Sequence, residues 1–333
     1  MEDEISIRVE HVACNNCGRS DAVEIGSGVD HEYPLTSPDE FRVVRCACGL
    51  VYLDPRPAIA ELDRIYPDDY YAYQIIDQRL RSSKGKASTL RAFMEERAIA
   101  RYRVYTDRIA RGSEPVRVLD VGCGDGTVLN QWRSALGGEA STHGIEMNEK
   151  AADIARAQGH EVTAKRIEEC ELAPESFDFA YSFHVIEHVE DPTGFMRSLR
   201  KAIKPGGHVL IETPNVGTWD FRLFQRRHWG GYHFPRHFNL YDAETFGALA
   251  AKTGFTVERV EYVPSAVFWV WTFHSMLFER RRKLADRLFP PVDILLRGSP
   301  WIWALMSLFT GVDMVGRLLT GRTACMRLLL RPC

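Results

Sequence analysis

From residue 116 onward, short apolar runs alternate with amphipathic stretches. VRVLDVG (116–122) reads as a buried strand that runs into CGDGTVLNQW (123–132), a glycine turn opening a helix. THGIEM (142–147) reads as a second strand, NEKAADIARAQG (148–159) as a helix ending at Gly, and HEVTAKRI (160–167) as a third strand. FDFAYSFHV (177–185) is a fourth strand, and DPTGFMRSLRKAI (191–203) a helix stopped by Lys204, Pro205, Gly206 and Gly207. HVLIETP (208–214) is a fifth. DAETFGALAAKTGF (242–255) starts at an Asp N-cap and ends near Gly254, before a sixth strand, FTVERVEYV (255–263), and a seventh, ACMRLLLRP (324–332). This alternation predicts an α/β fold, a doubly wound sheet with helices on both faces.

The flanks are patterned differently. GLVYLDPRP (49–57) predicts one strand with a proline stop, IYPDDYYAY (65–73) is rich in tyrosine, and 88–111 predicts a connecting helix with Leu90, Phe93, Met94, Ala98, Ile99, Tyr102, Val104 and Tyr105 as its apolar positions. Two tryptophan-rich runs, 264–278 and 300–312, precede the last strand; ERRRKLADR follows the first, and Asp313 interrupts the second. Each is shorter than the ~20 apolar residues that span a bilayer. Packing or lid helices, a surface-lying membrane element and an oligomer contact all fit. The expected divisions are a module over 1–56, a connector over 57–112 and a main domain over 113–333, with 264–322 as an apolar, basic insertion.

The 333 residues are 45% hydrophobic and 26% charged, which excludes wholesale disorder and low-complexity architecture. The net charge of −3 is unevenly spread: residues 1–60 carry a net −6 and residues 264–333 a net +6. An acidic start argues against nucleic acid as a partner, because phosphate contacts need Lys and Arg. MEDEISIRVE lacks a basic region followed by an apolar run, so a cytoplasmic, reducing compartment is expected, with peripheral contact on the inner membrane face if the basic end binds lipid.

In that compartment the pairs CNNCG (14–18) and CACG (46–49) read as metal ligands rather than disulfides. Cys14, Cys17, Cys46 and Cys48 offer the four thiolates of a structural zinc site, and Gly18 and Gly49 suit the tight turn after each pair. No βαβ pattern surrounds them, which argues against a redox role.

VLDVGCGDG (118–126) lies on a strand–turn–helix boundary, where glycines allow close backbone approach and a helix start favours a negative group. Glu146 ends the next strand, where an acid can accept hydrogen bonds from both ribose hydroxyls. With FDFAYSFHVIEHVEDP (177–192) and IKPGGHVLIETPN (203–215), these features resemble class I S-adenosylmethionine-dependent methyltransferases over about 140 residues. The resemblance implies a Rossmann-like sheet of seven strands with the last antiparallel, and S-adenosylmethionine as cofactor. It places Gly122, Cys123, Gly124 and Gly126 under the methionine part, Asp120 behind that loop, and Glu146 at the ribose. It also places Met147 against the adenine, Arg166 and Ile167 at the adenine edge, and Phe183 and His184 facing the sulfonium and acceptor.

Methyl transfer needs alignment, exclusion of water and removal of a proton. The candidates are His188, His233 and His237, in HVIEHV and GGYHFPRHFNLY. Two readings stay open: a histidine base for a hydroxyl, or a second divalent metal at His184, Glu187, His188 and His237. The latter resembles the ExxEH site of small-RNA and some quinone methyltransferases, with His184 at the first Glu. Residues 229–255, the cysteine module and the tyrosine-rich stretch resemble methyltransferases of bacterial polysaccharide and sugar-nucleotide clusters. The expectation is therefore O-methylation of a sugar or lipid-linked glycan hydroxyl. A quinone or other small natural-product hydroxyl is the alternative. A zinc-module nucleic-acid binder and a non-catalytic cofactor sensor are the readings from other classes. The sequence does not fix the oligomeric state.

Overall fold

A computed structural model describes residues 7–33, 39–67, 70, 89–109, 114–292 and 299–333. Positions 68, 69 and 71–73 of the tyrosine-rich stretch, and the side chains of Leu90, Phe93 and Met94, lie outside the described set.

The N-terminal part holds β1 (Val9–Glu10), β2 (Val23–Val29), β3 (Glu40–Arg45), β4 (Val51–Leu53), β5 (Arg56–Pro57) and a short helix, α1 (Leu62–Ile65). The connecting helix follows as α2 (Thr89–Thr106). The alternating region is β6 (Arg117–Val121), α3 (Thr127–Ala135), β7 (Ser141–Ile145), α4 (Glu149–Ala157), β8 (Glu161–Thr163), β9 (Phe177–Phe183), α5 (Pro192–Ala202) and β10 (Ile203–Pro214). Then come α6 (Trp219–Phe224), β11 (Asn239–Leu240), α7 (Ala243–Lys252), β12 (Phe255–Val263), α8 (Ala266–Leu288), α9 (Pro300–Thr320) and β13 (Cys325–Pro332).

Seven strands form one sheet in the order β12-β13-β10-β9-β6-β7-β8. β13 runs antiparallel to both β10 and β12, while β10, β9, β6, β7 and β8 are parallel neighbours. The doubly wound sheet expected from the alternation is present, and it has the Rossmann-like seven-strand form with an antiparallel last strand that the resemblance implies. Local chemistry sets the helix starts. Asp191 caps α5 by accepting from Gly194 N, with Pro192 in the first turn, and Asp242 and Thr245 form a reciprocal capping box on α7.

Three expectations change in detail. HEVTAKRI keeps strand geometry only over Glu161–Thr163, and Ile167–Glu169 is a 3-10 turn. GLVYLDPRP splits, since β4 pairs with β3 while β5 pairs with β1. Asp313 does not end the second apolar run. Its carboxylate points inward, accepting from Ser265 N at 2.6 Å and Trp269 Nε1 at 2.7 Å, so α9 continues to Thr320.

The strands beside the cysteine turns form a second sheet that packs against the main one. β11 completes a four-stranded antiparallel sheet, β11-β4-β3-β2, pairing Asn239 with Tyr52 and Leu240 with Val51. One apolar cluster joins Val44, Leu50 and Tyr52 to Leu119, Ile145, Ile211 and Phe246. The segment between α6 and β11 is thereby held over the carboxyl ends of β9 and β10, where ligands bind in open α/β sheets.

Candidate active site

The turn after β6 follows from its glycines. Gly122 has φ +86°, and a Cβ there would lie 2.4 Å from Val185 Cγ2, so no other residue fits without displacing the loop. The N–H groups of Gly122 and Cys123 donate to Ile145 O, which ties the turn to the end of β7. The Glu146 carboxylate accepts from Gly124 N at 2.9 Å and Asn148 N at 2.8 Å. Burial pushes its pKa up, against the opposing pull of those amides. Loop and acid thus form a cradle, with carboxylate oxygens that can accept from ribose hydroxyls beside a glycine backbone that lets a methionine moiety approach, and Gly124 faces open space.

The other residues expected near the cofactor divide. Asp120 is buried beneath the turn, and burial holds its carboxyl well above the usual range. Met147 is 62% exposed on the open side of β7. Phe183 ends β9 with Tyr102 of α2 stacked at 6.3 Å and the Arg327 guanidinium 5.5 Å from its ring. The Cys123 thiol packs beneath Gly144, and Ile167 is buried in the core. Arg166 pairs with Glu190.

Beyond β9 the chain turns sharply at His184, which has φ +55°. Its ring lies between two acids, with Nδ1 3.2 Å from Glu187 and Nε2 3.0 Å from Glu212. Burial opposes a charged ring, but the hydrogen bonds to Glu187 and Glu212 prevail and raise its pKa to about 10. Burial likewise opposes a charged Glu212, yet His184 and Arg327 bring its pKa down to about 2. Glu187 is wholly buried, and its second oxygen accepts from Thr213 Oγ1 at 3.0 Å.

Oxygen and nitrogen atoms of Glu187, His188 and His237 lie within 4.8 Å of one another. His237 Nδ1–H donates to Gly231 O at 2.7 Å, and His188 Nδ1–H faces Arg236 O at 3.1 Å and the Tyr66 hydroxyl at 2.8 Å. The Nε2 atoms remain for a ligand. Burial lowers the His188 pKa to about 4 and that of His237 well below its ordinary value, so both rings are neutral at pH 7. A carboxylate fixed by two donors, beside neutral imidazoles oriented through backbone carbonyls, has the makeup of a divalent-metal site. His184, expected among those ligands, is instead engaged by Glu187 and Glu212.

His233 stands behind this set. Its Nδ1–H donates to Glu32 at 2.7 Å, the Tyr70 hydroxyl donates to its Nε2 at 3.1 Å, and its ring stacks on Trp271 at 5.0 Å. A fully buried Arg236–Asp30 ion pair at 2.8 Å supports the same loop. Sequence reasoning missed Glu212, Arg327 and Glu32. An acid inside the apolar strand 208–214 was the only local signal for Glu212, and none existed for the other two.

The four N-terminal thiols form a second cluster. Cys14 Sγ lies 3.5 Å from Cys48 Sγ, Cys17 Sγ lies 3.4 Å from Cys46 Sγ, and all four fall within 4.8 Å. A tetrahedral zinc with Zn–S of about 2.3 Å separates its sulfurs by about 3.8 Å, so the cluster fits that ion. Asn15 Nδ2 donates to Asn239 Oδ1 and Asn16 Nδ2 to Thr245 O, which couples this knuckle to β11 and α7.

An open sheet with a glycine turn after its first strand and an acid ending the second defines the class I methyltransferase architecture. Residues 91–260, about half of the chain, match the family described as methyltransferase domain, and the chain belongs to that family. The ubiquinone biosynthesis O-methyltransferase of Proteus mirabilis is 32% identical over 118 residues, covering 33% of this chain and 47% of that protein. The protein of the same name from Caulobacter vibrioides is 33% identical over 166 residues, covering 45% and 64%. The chain spans about half the length of the first of these curated relatives. A SAM dependent methyltransferase from Archaeoglobus fulgidus, of known structure, shares 18% identity over 71% of this chain and 93% of its own, with a TM-score of 0.43.

Proposed function

We propose that the protein methylates a hydroxyl of a small aromatic acceptor of the quinone-precursor type. The convergence of Glu187, His188 and His237 beyond the carboxyl ends of β9 and β10 carries this reading. The name shared by the curated relatives supports a quinone-type acceptor over the sugar hydroxyl expected from the sequence.

S-adenosylmethionine, held by the Gly122–Gly126 turn and Glu146, supplies a methyl group already activated as a sulfonium. A divalent ion held by Glu187, His188 and His237 would supply Lewis acidity to the acceptor hydroxyl. The chain's own groups do the rest. Glu187 and Glu212 hold His184 charged, Arg327 holds Glu212 ionised, and His184 with Thr213 fixes Glu187. Tyr66 and the Arg236 carbonyl orient His188, while His233 and Trp271 wall the site behind it. Where the ion is lacking, the same neutral Nε2 atoms face the hydroxyl as proton acceptors.

We also infer that Cys14, Cys17, Cys46 and Cys48 bind a structural zinc. A reducing, cytoplasmic setting agrees with eight cysteines none of which is in a disulfide.

The test is product analysis by mass spectrometry. A prenylated catechol and a sugar nucleotide are each incubated with S-adenosylmethionine and the full chain. Methylation of the catechol alone supports the reading, and methylation of the sugar alone overturns the acceptor assignment.

A further inference from the structure

We propose that α9, with the basic stretch leading to it, is a docking surface for an anionic lipid bilayer, and that α9 lies in the plane of the interface. This concerns where the protein works and does not depend on the acceptor. α9 buries one stripe, Ile302, Leu305, Phe309, Asp313 and Gly316, at helical spacing. Phe309 stacks on Trp269 and Phe273, and a Cβ on Gly316 would meet Trp219 Nε1 at 2.3 Å. The remaining faces are open and apolar. Trp303 is 59% exposed, Leu308 60%, Val315 56%, Leu318 83% and Leu319 80%.

The 21-residue helix is long and apolar enough to cross a membrane, with a mean hydropathy of 1.4, yet only 28% of its apolar window is buried in the protein. A core helix would be mostly covered. A crossing helix would have to leave the stripe that fastens it to α8. Lying at the interface satisfies both faces, because water-exposed apolar area goes into the acyl boundary while the inner stripe stays packed. A groove of about 760 Å³ between Trp219 and the Leu308–Val315–Leu319 row opens on this side, with room for an acyl chain.

Charge names the occupant. Arg280, Arg281, Arg282, Lys283 and Arg287 are exposed. Trp301 Nε1 donates to Leu288 O at 2.9 Å, so this stretch ends against the start of α9. The described acids of the region are engaged elsewhere: Glu279 with Arg227, Asp286 with His274, and Asp313 inside the fold. An apolar face, interfacial tryptophans and a positive rim match an anionic bilayer. Two copies meeting through this face would set basic rims side by side.

Co-sedimentation with vesicles decides it, using phosphatidylcholine alone and phosphatidylcholine mixed with phosphatidylglycerol. The full chain is expected to pellet with the mixed vesicles. Leu318→Ser with Leu319→Ser is expected to weaken partitioning about tenfold, with an unchanged melting curve since both side chains face solvent. Arg280→Glu with Arg282→Glu should remove the preference for the mixed vesicles. Failure of the wild type to pellet with either vesicle overturns the proposal. So does a dimer in size-exclusion chromatography that the Leu318→Ser, Leu319→Ser variant dissociates.

Discussion

His184 Nε2 lies 3.0 Å from a carboxylate oxygen of Glu212, while the other nitrogen of the same ring lies 3.2 Å from Glu187. One imidazolium therefore bridges two acids beyond the carboxyl ends of the central strands β9 and β10. His184→Gln removes the cation between those acids, leaving Glu212 paired with Arg327 and Glu187 with Thr213 alone among these groups. Breaking a buried ion pair costs about 3–5 kcal/mol. His184 is partly open to water, which reduces the expected loss to about 2 kcal/mol. Urea unfolding of the variant checks this, and an unchanged midpoint would show that the pairing contributes nothing.

Glu146 is the next expectation. Its carboxylate holds both Gly124 and Asn148, so Glu146→Ala removes the loop's anchor along with the ribose acceptor. Charge-assisted hydrogen bonds of this kind contribute about 1.5–3 kcal/mol each. Calorimetric titration with S-adenosylhomocysteine should therefore show an affinity loss of at least about thirtyfold. Wild-type affinity would remove Glu146 from the cofactor site.

The cysteine cluster predicts one zinc per chain by elemental analysis. Cys17→Ser should lower both zinc content and stability, because metal binding and folding of so small a unit are linked. The damage should reach beyond the module. Asn15 and Asn16 bond to Asn239 and Thr245, so amide exchange should rise across β11 and the start of α7. A zinc-free variant with unchanged exchange there would show that the knuckle is an independent appendage.

Much of this was legible in the chain. The strands of the main sheet and helices α3, α4, α5 and α7 follow apolar periodicity, with β8 shorter than expected and α6 and β11 not foreseen, and the glycine turn with Glu146 is local in sequence. The rest is set by distant pairs. Glu212 reads as one acid in an apolar strand until Arg327, 115 residues later, is placed beside it. Glu32 acquires meaning only against His233, 201 residues away. Asp313 resembled a break in the second apolar run because nothing local reveals that Ser265 and Trp269 satisfy its carboxylate. The attachment of the cysteine module to the methyltransferase domain depends on β11 pairing with β4, across 187 residues from Tyr52 to Asn239.

A pH dependence follows from His160. Its ring is buried beside Gly126, with Nδ1 2.7 Å from Thr142 Oγ1, and burial with nearby Arg133 lowers its pKa to about 4. The folded state therefore favours the neutral ring. That contribution is fully present above about pH 6.5, the unfolded value, and is lost as pH falls toward 4. Thermal unfolding should reveal about 2 kcal/mol of lost stability between pH 7 and pH 4 that His160→Gln lacks. Parallel curves for the two proteins would refute the assignment.

The central claim is that Glu187, His188 and His237 act on the acceptor hydroxyl. Single-turnover methyl transfer to a prenylated catechol tests it most directly, with the wild type compared against His188→Ala and His237→Ala, each with and without chelator and added magnesium. The expected result is a rate loss of at least about a hundredfold in both variants, with S-adenosylhomocysteine affinity unchanged. Chelator should silence the wild type and magnesium restore it; a chelator-insensitive wild type would leave the histidines as proton acceptors. Wild-type rates in both variants would contradict the claim.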